Sequence, residues 1–326
     1  MPFPALNSAQ FQTVPLDRID LQVDTFRITT RSEVDELAVS IQYDGLITPP
    51  ILLQKPASVY AVVSGFRRVL ACQKLGCSDI LARILDSETD PLDCLRLAIA
   101  ENSLQRQLNL IEISRAIQKL SSSFDGPVQM AEAAATLGLP TNPSILTKIK
   151  GLCLLPSPVQ QSILNDAISL SMADELGKLD SDSAVVFARL CDGLKFSLSK
   201  QKEILTMVVE IARRENSDVR QVMNDPKLKR IIDDENLDRT QKGRQIRALL
   251  KQWRFPRISE AEKNYRRHQK QLKLGNDIKL IPPKDFEGTI YTLILNFKNI
   301  AHLAELRKKL DELIVHPSFE KIVEIK

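Results

Sequence analysis

The sequence predicts a mainly helical α+β protein with an N-terminal α/β domain, a central all-α domain containing a helix-turn-helix, and a small C-terminal α/β unit. Three observations carry this. Strand and helix signals alternate as far as Leu85; from Pro91 to Phe255 apolar residues recur at three- and four-residue spacing; and a β-rich run, "GTIYTLILNF", returns near the end. The expected boundaries are 1–100 for the α/β domain, 101–235 for the helical domain, 236–280 for a basic helical linker and 281–326 for a βαβ-like domain.

In chain order, "QTVPLDRIDL" reads as a short strand. "SEVDELAVSIQYDG" reads as a helix capped by Ser32, with Asp35 at its third helical position, an apolar stripe of Val34, Leu37, Ala38 and Ile41, and Gly45 past its end. "PPILLQ" and "VYAVVSG" are strands by their β-branched content, "FRRVLACQKLG" is a helix and "ILARIL" another strand. In "NLIEISRAIQKL", Asn109 with Glu112 three residues on forms a capping box before the series Ile113, Ala116, Ile117, Leu120.

"SSSFDGP" is a loop by composition. "VQMAEAAATLGLPTNPSILTKIKGL" then reads as helix, tight turn, helix, with Gly138 closing the first and Pro143 opening the second. A helix-turn-helix and a plain helical hairpin both fit that pattern. Amphipathic helices continue through "PSPVQQSILNDAISLSMADELGKL" and "SAVVFARLCDGLKFSLSKQKEILTMVVEIARREN". Near the end, "NIAHLAELRKKLDELIVHP" carries Leu303, Leu306, Leu310 and Leu313 on one stripe, a local core or a dimer seam, and "FEKIVEI" reads as a closing strand.

Composition bounds the function. The 326 residues are 43% hydrophobic and 26% charged, an ordinary globular balance. The opening stretch lacks the basic and apolar blocks of a secretory signal, and no apolar run approaches about 18 residues, so a cytoplasmic protein without a membrane partner is expected. Five scattered cysteines read as reduced core thiols, and three histidines in the last fifth of the chain suggest neither a zinc site nor a Cys/His nucleophile pair. Net charge is only +4, yet Arg239 to Lys273 holds twelve Lys/Arg against Glu260 and Glu262. A polyanion fits that segment, and a solvated helical linker is the plainer reading.

Two stretches carry candidate chemistry. In "VVSGFRR" a strand breaks at Ser64-Gly65 and restarts as a helix whose first turn holds Arg67 and Arg68. Unpaired helical N–H groups and two guanidinium forks together suit phosphate oxygens, although a solvated basic helix start gives the same pattern. In "AENSLQRQLNLIE", the Glu101-Asn102 pair supplies hard oxygens for a hydrated Mg²⁺, with Arg106 close by.

Gly65-Phe66-Arg67-Arg68-Val69-Leu70-Ala71 followed by Glu101-Asn102 and Leu108-Asn109-Leu110-Ile111-Glu112 resembles the ParB family of partition proteins, in its glycine-x-arginine-arginine-x-x-alanine and ENxxRxxL…E motifs. "ELAVSIQYDGLITPPILL" is similar to the family's segment before the pocket, and the likeness runs through the helix-turn-helix, roughly residues 12 to 190. The resemblance implies a ParB/sulfiredoxin-like N-terminal domain that binds CTP with Mg²⁺ and closes into a DNA clamp, a helix-turn-helix that reads a centromere-like site, and a dimerising C-terminal domain. Carried over, Ser64, Gly65, Arg67 and Arg68 would cradle the triphosphate with Arg106 nearby, and Glu101 with Asn102 would hold the metal.

There are departures. Phe66 stands where Glu is frequent, Thr48 where many relatives have Gln, and Gln105 where the family's arginine falls, displacing Arg106 by about 100° if that turn is helical. They favour binding over turnover, leaving a weak CTPase as the open enzymatic reading.

The expected function is DNA binding in chromosome or plasmid partition, nucleoid-associated, as a homodimer, with a partition ATPase as further partner. Candidate DNA contacts are Ser144, Thr147, Lys148 and Lys150 in the helix-turn-helix and Arg244, Arg247, Lys251, Arg254, Arg266 and Arg267 in the basic segment. The rival readings are an enzyme on the same fold, a free-serine kinase or a nuclease-like protein, and a nucleotide-independent nucleic-acid-binding scaffold. Sulfiredoxin itself needs a cysteine where Phe66 stands.

Overall fold

The computed structural model describes residues 9–124 and 126–324. The chain divides into two compact units, Met1–Leu198 and Ser199–Lys326.

In the first unit, β1 (Gln10–Pro15), β2 (Ile19–Asp20), β3 (Ile51–Gln54), β4 (Tyr60–Ser64) and β5 (Asp79–Leu85) form a mixed sheet in the order β1-β5-β3-β4-β2. β1 runs antiparallel to β5, with Val14 opposite Ile80, and β3 antiparallel to β4; the β3–β5 and β2–β4 pairs are parallel. Every residue of β4 is buried. Because strand side chains alternate, Tyr60 and Val62 enter one core with Val14, Leu52 and Ile80, while Ala61 and Val63 face the other way.

Helices α1 (Asp35–Asp44) and α2 (Phe66–Lys74) pack together, and α2 sends Phe66, Val69 and Cys72 into that same core. Helix α3 (Pro91–Gln105) packs on β4. Its last turn, with Glu101 and Asn102, therefore meets the end of β4 and the start of α2.

Ser32 does not cap α1 as expected; the helix begins at Asp35 with Val34 in the cap position and no side-chain cap. The cause is long-range: the Arg67 guanidinium donates to the Glu33 carbonyl through Nε at 3.1 Å and Nη2 at 2.8 Å, tying that peptide to α2. Gly45 ends α1 at φ +77°, as its position predicts.

The helical part of this unit comprises α4 (Leu110–Leu120), α5 (Pro127–Thr136), α6 (Pro143–Lys150), α7 (Ser157–Leu164), α8 (Leu170–Leu176) and α9 (Ser181–Leu194). Helices α5 and α6 form the helix-turn-helix, with Gly138 at φ +69° in the turn and Asn142 capping α6. α4 packs along α6 and carries the capping box that the sequence predicts.

The second unit comprises α10 (Leu198–Arg214), α11 (Val219–Met223), α12 (Pro226–Asp233), α13 (Arg239–Arg254), α14 (Pro256–Leu272), β6 (Ile278–Ile281), β7 (Thr292–Leu295), α15 (Ile300–Ile314) and α16 (Pro317–Val323). The basic segment is thus two helices of this unit. Tyr265 of α14 is buried, donates to the Leu280 carbonyl at 2.6 Å and joins a core with Leu280 and Ile322.

The expected βαβ arrangement is instead two antiparallel strands followed by two helices. β6 lies before the expected boundary at 281, and its alternation of buried Ile278 and Leu280 about exposed Lys279 was the strand signal. "FEKIVEI" is not a strand where described: Pro317 opens a helix that His316 caps through Nδ1, and Phe319 and Ile322 recur at helical spacing against the Tyr265 core. Ile325 lies outside the described residues.

Of the cysteines, Cys72, Cys94 and Cys191 are buried thiols, whereas Cys77 is exposed and Cys153 half-buried, so the expectation of five core thiols holds for three. Burial pushes Cys72 and Cys94 up to about 11 and Cys191 to about 12, which keeps them protonated and unreactive at neutral pH. Among the described residues no helix is long and apolar enough to cross a membrane.

Candidate functional site

The SGFRR turn has the backbone its glycine predicts. Gly65 sits at φ +93°, and a Cβ there would stand 2.8 Å from Pro50 Cβ and 3.0 Å from Arg68 Nε. Both the left-handed conformation and the close approach require glycine. The turn aims the start of α2, with its first-turn N–H groups, into a cavity of about 240 Å³.

Ser64, Gly65, Arg67, Arg68, Glu101, Asn102 and Arg106, all expected from the sequence, line that cavity together. Ser64 is buried and donates to one Glu101 oxygen, while Arg68 Nη2 pairs with the other. Arg68 Nη1 donates to the carbonyls of Thr48 at 2.9 Å and Pro49 at 3.1 Å. The Thr48 contact is made by backbone, so the side-chain departure at that position leaves it untouched. Asn102 donates from Nδ2 to the Ala98 carbonyl at 2.8 Å, an i−4 bond along its own helix.

Phe66 lies 5% exposed in the sheet core, and the Arg27 guanidinium stacks 5.5 Å from its ring centroid. The residue that breaks the family pattern is therefore a packing residue at the cavity wall.

Gln105 and Arg106 resolve the shifted register. α3 ends at Gln105, and Arg106 has extended backbone, φ −162° and ψ 163°, so the expected helical offset of 100° does not apply. Gln105 Nε2 donates to Glu101 at 2.8 Å. Arg106 lines the rim but turns its fork onto Glu112, at 2.6 and 2.7 Å.

Glu112 is 0% exposed and accepts from the Thr30 N–H at 3.0 Å and the Asn109 N–H at 3.1 Å as well. Burial alone pushes its carboxyl up; the Arg106 fork and those two N–H groups outweigh it and hold the pKa at about 2. Two residues on, Ser114 donates to the Lys150 carbonyl at 3.1 Å and accepts from the Cys153 N–H at 2.8 Å. One turn of α4 thus links the cavity rim to the end of α6.

Sequence reasoning missed Phe26, Ile28, Thr29, Leu37 and Val63 in the wall. Thr29 and Thr30 meet Glu112 across more than eighty residues of chain, a pairing with no local signal.

The cavity presents Glu101 and Asn102 as oxygen donors beside the Gly65 cradle, which fits a phosphate-bound Mg²⁺. Among the described residues no cluster of three or more His, Cys, Asp or Glu is poised for a metal. A site here would complete its ligand shell with phosphate and water.

On α6, Ser144, Thr147, Lys148 and Lys150 are all exposed, spaced along neighbouring turns. The basic segment separates into two groups. Arg247 forks onto Glu203 at 2.8 and 3.0 Å, Arg254 onto Glu210, and Lys251 pairs with Glu262 at 3.7 Å. Arg244, Arg266 and Arg267 are exposed, and the last two flank an open groove with Lys263 and Lys270.

Residues 4–103 match the family model described as the ParB N-terminal domain. A nucleoid occlusion protein of Listeria monocytogenes serotype 4b is 26% identical over 219 residues, covering 65% of this chain and 75% of that protein. A "Probable chromosome-partitioning protein ParB" of Vibrio cholerae is 24% identical over 156 residues, 48% of this chain and 51% of the relative. Among solved structures, the C-terminally truncated chromosome-partitioning protein ParB from Caulobacter crescentus complexed with CTP-gamma-S is 23% identical, covering 56% of this chain and 98% of that one, with a TM-score of 0.26. The matched domain contains both the Gly65–Arg68 turn and the Glu101-Asn102 pair that the fold brings together, and residues 4–103 are thereby a ParB N-terminal domain.

Proposed function

We propose that this protein binds DNA in chromosome or plasmid partition or nucleoid occlusion, and that CTP with Mg²⁺ in its N-terminal unit acts as a conformational switch. The observation that carries the reading is the bond between Arg68 and Glu101, which joins the two motifs and presents a cation and a carboxylate to one cavity. Arg68 would take a phosphate oxygen, with Ser64, Gly65 and Arg67 completing the cradle, and Glu101 with Asn102 would take the metal. Either ligand alone leaves one part-buried charge without its partner, and both together leave neither. Bound Mg²⁺ supplies charge neutralisation of the triphosphate.

The cavity is smaller than the ~300–1,000 Å³ of typical ligand sites, so binding is expected to open it and to shift the population of domain arrangements. The route is short: Glu101 lies in the last turn of α3, Arg106 at the rim pairs with Glu112 of α4, and Ser114 of α4 bonds to the end of α6.

DNA contacts are proposed for Ser144, Thr147, Lys148 and Lys150, and for the exposed cations Arg244, Arg266 and Arg267. A homodimer is supported by the C-terminal unit, where exposed Ile290, Phe297 and Ile300 surround strand β7. A partition ATPase as partner rests on the resemblance to ParB proteins alone.

A second reading, a nucleotide-independent DNA-binding scaffold, is favoured by the bonds that Arg67 and Arg68 already make to backbone carbonyls. Calorimetry with CTP, UTP, ATP and GTP, each with and without Mg²⁺, separates the two. The switch requires CTP heat that depends on Mg²⁺ and falls about 100-fold in affinity in Arg68→Ala, as loss of charge-assisted bonds predicts. If no nucleotide binds, and Arg67→Ala/Arg68→Ala leaves DNA binding unchanged, the scaffold stands instead.

A further inference from the structure

A second cavity, of about 440 Å³, opens in the same unit between the segment 24–32 and α4. Arg27 lines it from the segment, and Arg115 and Lys119 from successive turns of α4, an i,i+4 pair on one face. Asp24 is the one carboxylate among its described lining residues. Its side chain is 70% exposed and stands 3.6 Å from Lys119. Three cations thus face a single, well-solvated carboxylate.

These cations are incompletely satisfied. Arg115 donates through Nη1 to the Thr29 carbonyl at 2.8 Å, which orients its fork without neutralising it. Lys119 donates to the Asp24 carbonyl. Arg27 Nε is buried with no acceptor, its guanidinium resting on the Phe66 ring. Stacking on that ring leaves the Arg27 charge without a carboxylate partner among the described residues. The like charges repel one another, and an anion would relieve that repulsion.

We infer that this cavity is a second oxyanion site, separate from the Gly65–Arg68 cradle, which takes a phosphoryl group. A phosphate dianion matches the excess of two positive charges and offers oxygens to two guanidinium forks. Cys153 and Leu154 on the cavity wall lie in the short turn that follows α6, which ends at Lys150. The phosphoryl group can therefore come from a free phosphate compound or from the backbone of DNA seated on α6.

The test uses the full chain carrying Arg67→Ala/Arg68→Ala, so that the first site is silent. Inorganic pyrophosphate, followed by calorimetry, is expected to bind this protein still. Lys119→Gln or Arg27→Gln should weaken binding at least tenfold, and Lys119→Arg should restore it. If the source is DNA, pyrophosphate leaves no heat, yet Lys119→Gln lowers the slope of log affinity against log salt for a duplex of arbitrary sequence by about 0.9, one phosphate contact. Absence of pyrophosphate binding, with duplex affinity and salt slope unchanged in folded Lys119→Gln and Arg27→Gln proteins, overturns the site. The CTP reading fails on a different observation, the wild-type CTP heat, so the two outcomes are independent.

Discussion

Arg68 and Glu101 both line the first cavity, whereas of the Arg106–Glu112 pair only Arg106 does, and the two carboxylates differ in exposure, 19% against 0%, and in surroundings. Glu101 is met by side chains alone, Ser64, Arg68 and Gln105, which can rotate away. Glu112 is met by the Arg106 fork and by backbone N–H groups of Thr30 and Asn109, which cannot leave without unfolding their segments. The first arrangement suits exchange of partners on ligand binding. The second suits a fixed joint between the segment 29–30, the end of α3 and the start of α4.

Replacing the joint should have the larger effect on folding. Glu112→Gln leaves Arg106 without its carboxylate and is expected to cost about 3 kcal/mol, the usual range for breaking a buried pair, measured by urea unfolding at neutral pH. Acid should reproduce part of this. A carboxyl held at about 2 in the fold against an ordinary 4.5 gives stability that is complete above about pH 5 and is lost as pH falls from there towards 2. The Glu112→Gln protein should show a flatter acid limb than wild type over that window. Equal limbs would mean that Glu112 is not the group whose protonation matters.

Gly65→Ala comes next, at about 2 kcal/mol, because it combines a left-handed φ with a Cβ driven against Pro50. The exchangeable pair should be the milder lesion for folding. Arg68→Gln is expected to cost about 1 kcal/mol of stability, the net worth of a typical hydrogen bond, while removing most nucleotide affinity. A fall in stability as large as that of Glu112→Gln would erase the distinction between the two pairs.

The same contrast explains what the sequence reveals. The Asn109–Glu112 capping box and the Gly65 turn are local patterns, set within a few residues, and both form as read. The larger role of Glu112 depends on Thr29, Thr30 and Arg106, which only the packed sheet brings to it. Ser32 fails as a cap for the same reason: a bond from Arg67, on another helix, decides where α1 begins. "FEKIVEI" fails differently. Its β-branched residues fit a strand, but Pro317 and the tertiary core at Tyr265 select the helix.

The smallest effects separate the basic residues of the second unit. Arg247 is forked onto Glu203, with side chains 36% and 42% exposed, so Arg247→Ala should cost no more than about 0.5 kcal/mol once solvent screening is allowed for. Its guanidinium is directed at a carboxylate, so the salt dependence of DNA binding should not change. Arg267 is exposed beside the groove that Lys263 and Lys270 share. Arg267→Ala should leave stability unchanged and reduce the slope of log affinity against log salt by about 0.9, one phosphate contact. Titrations of a fixed duplex across a salt series read both. If Arg247→Ala lowers the slope as much as Arg267→Ala, then the Glu203 fork opens on DNA, and ion pairing in the free protein does not mark which cations meet phosphate.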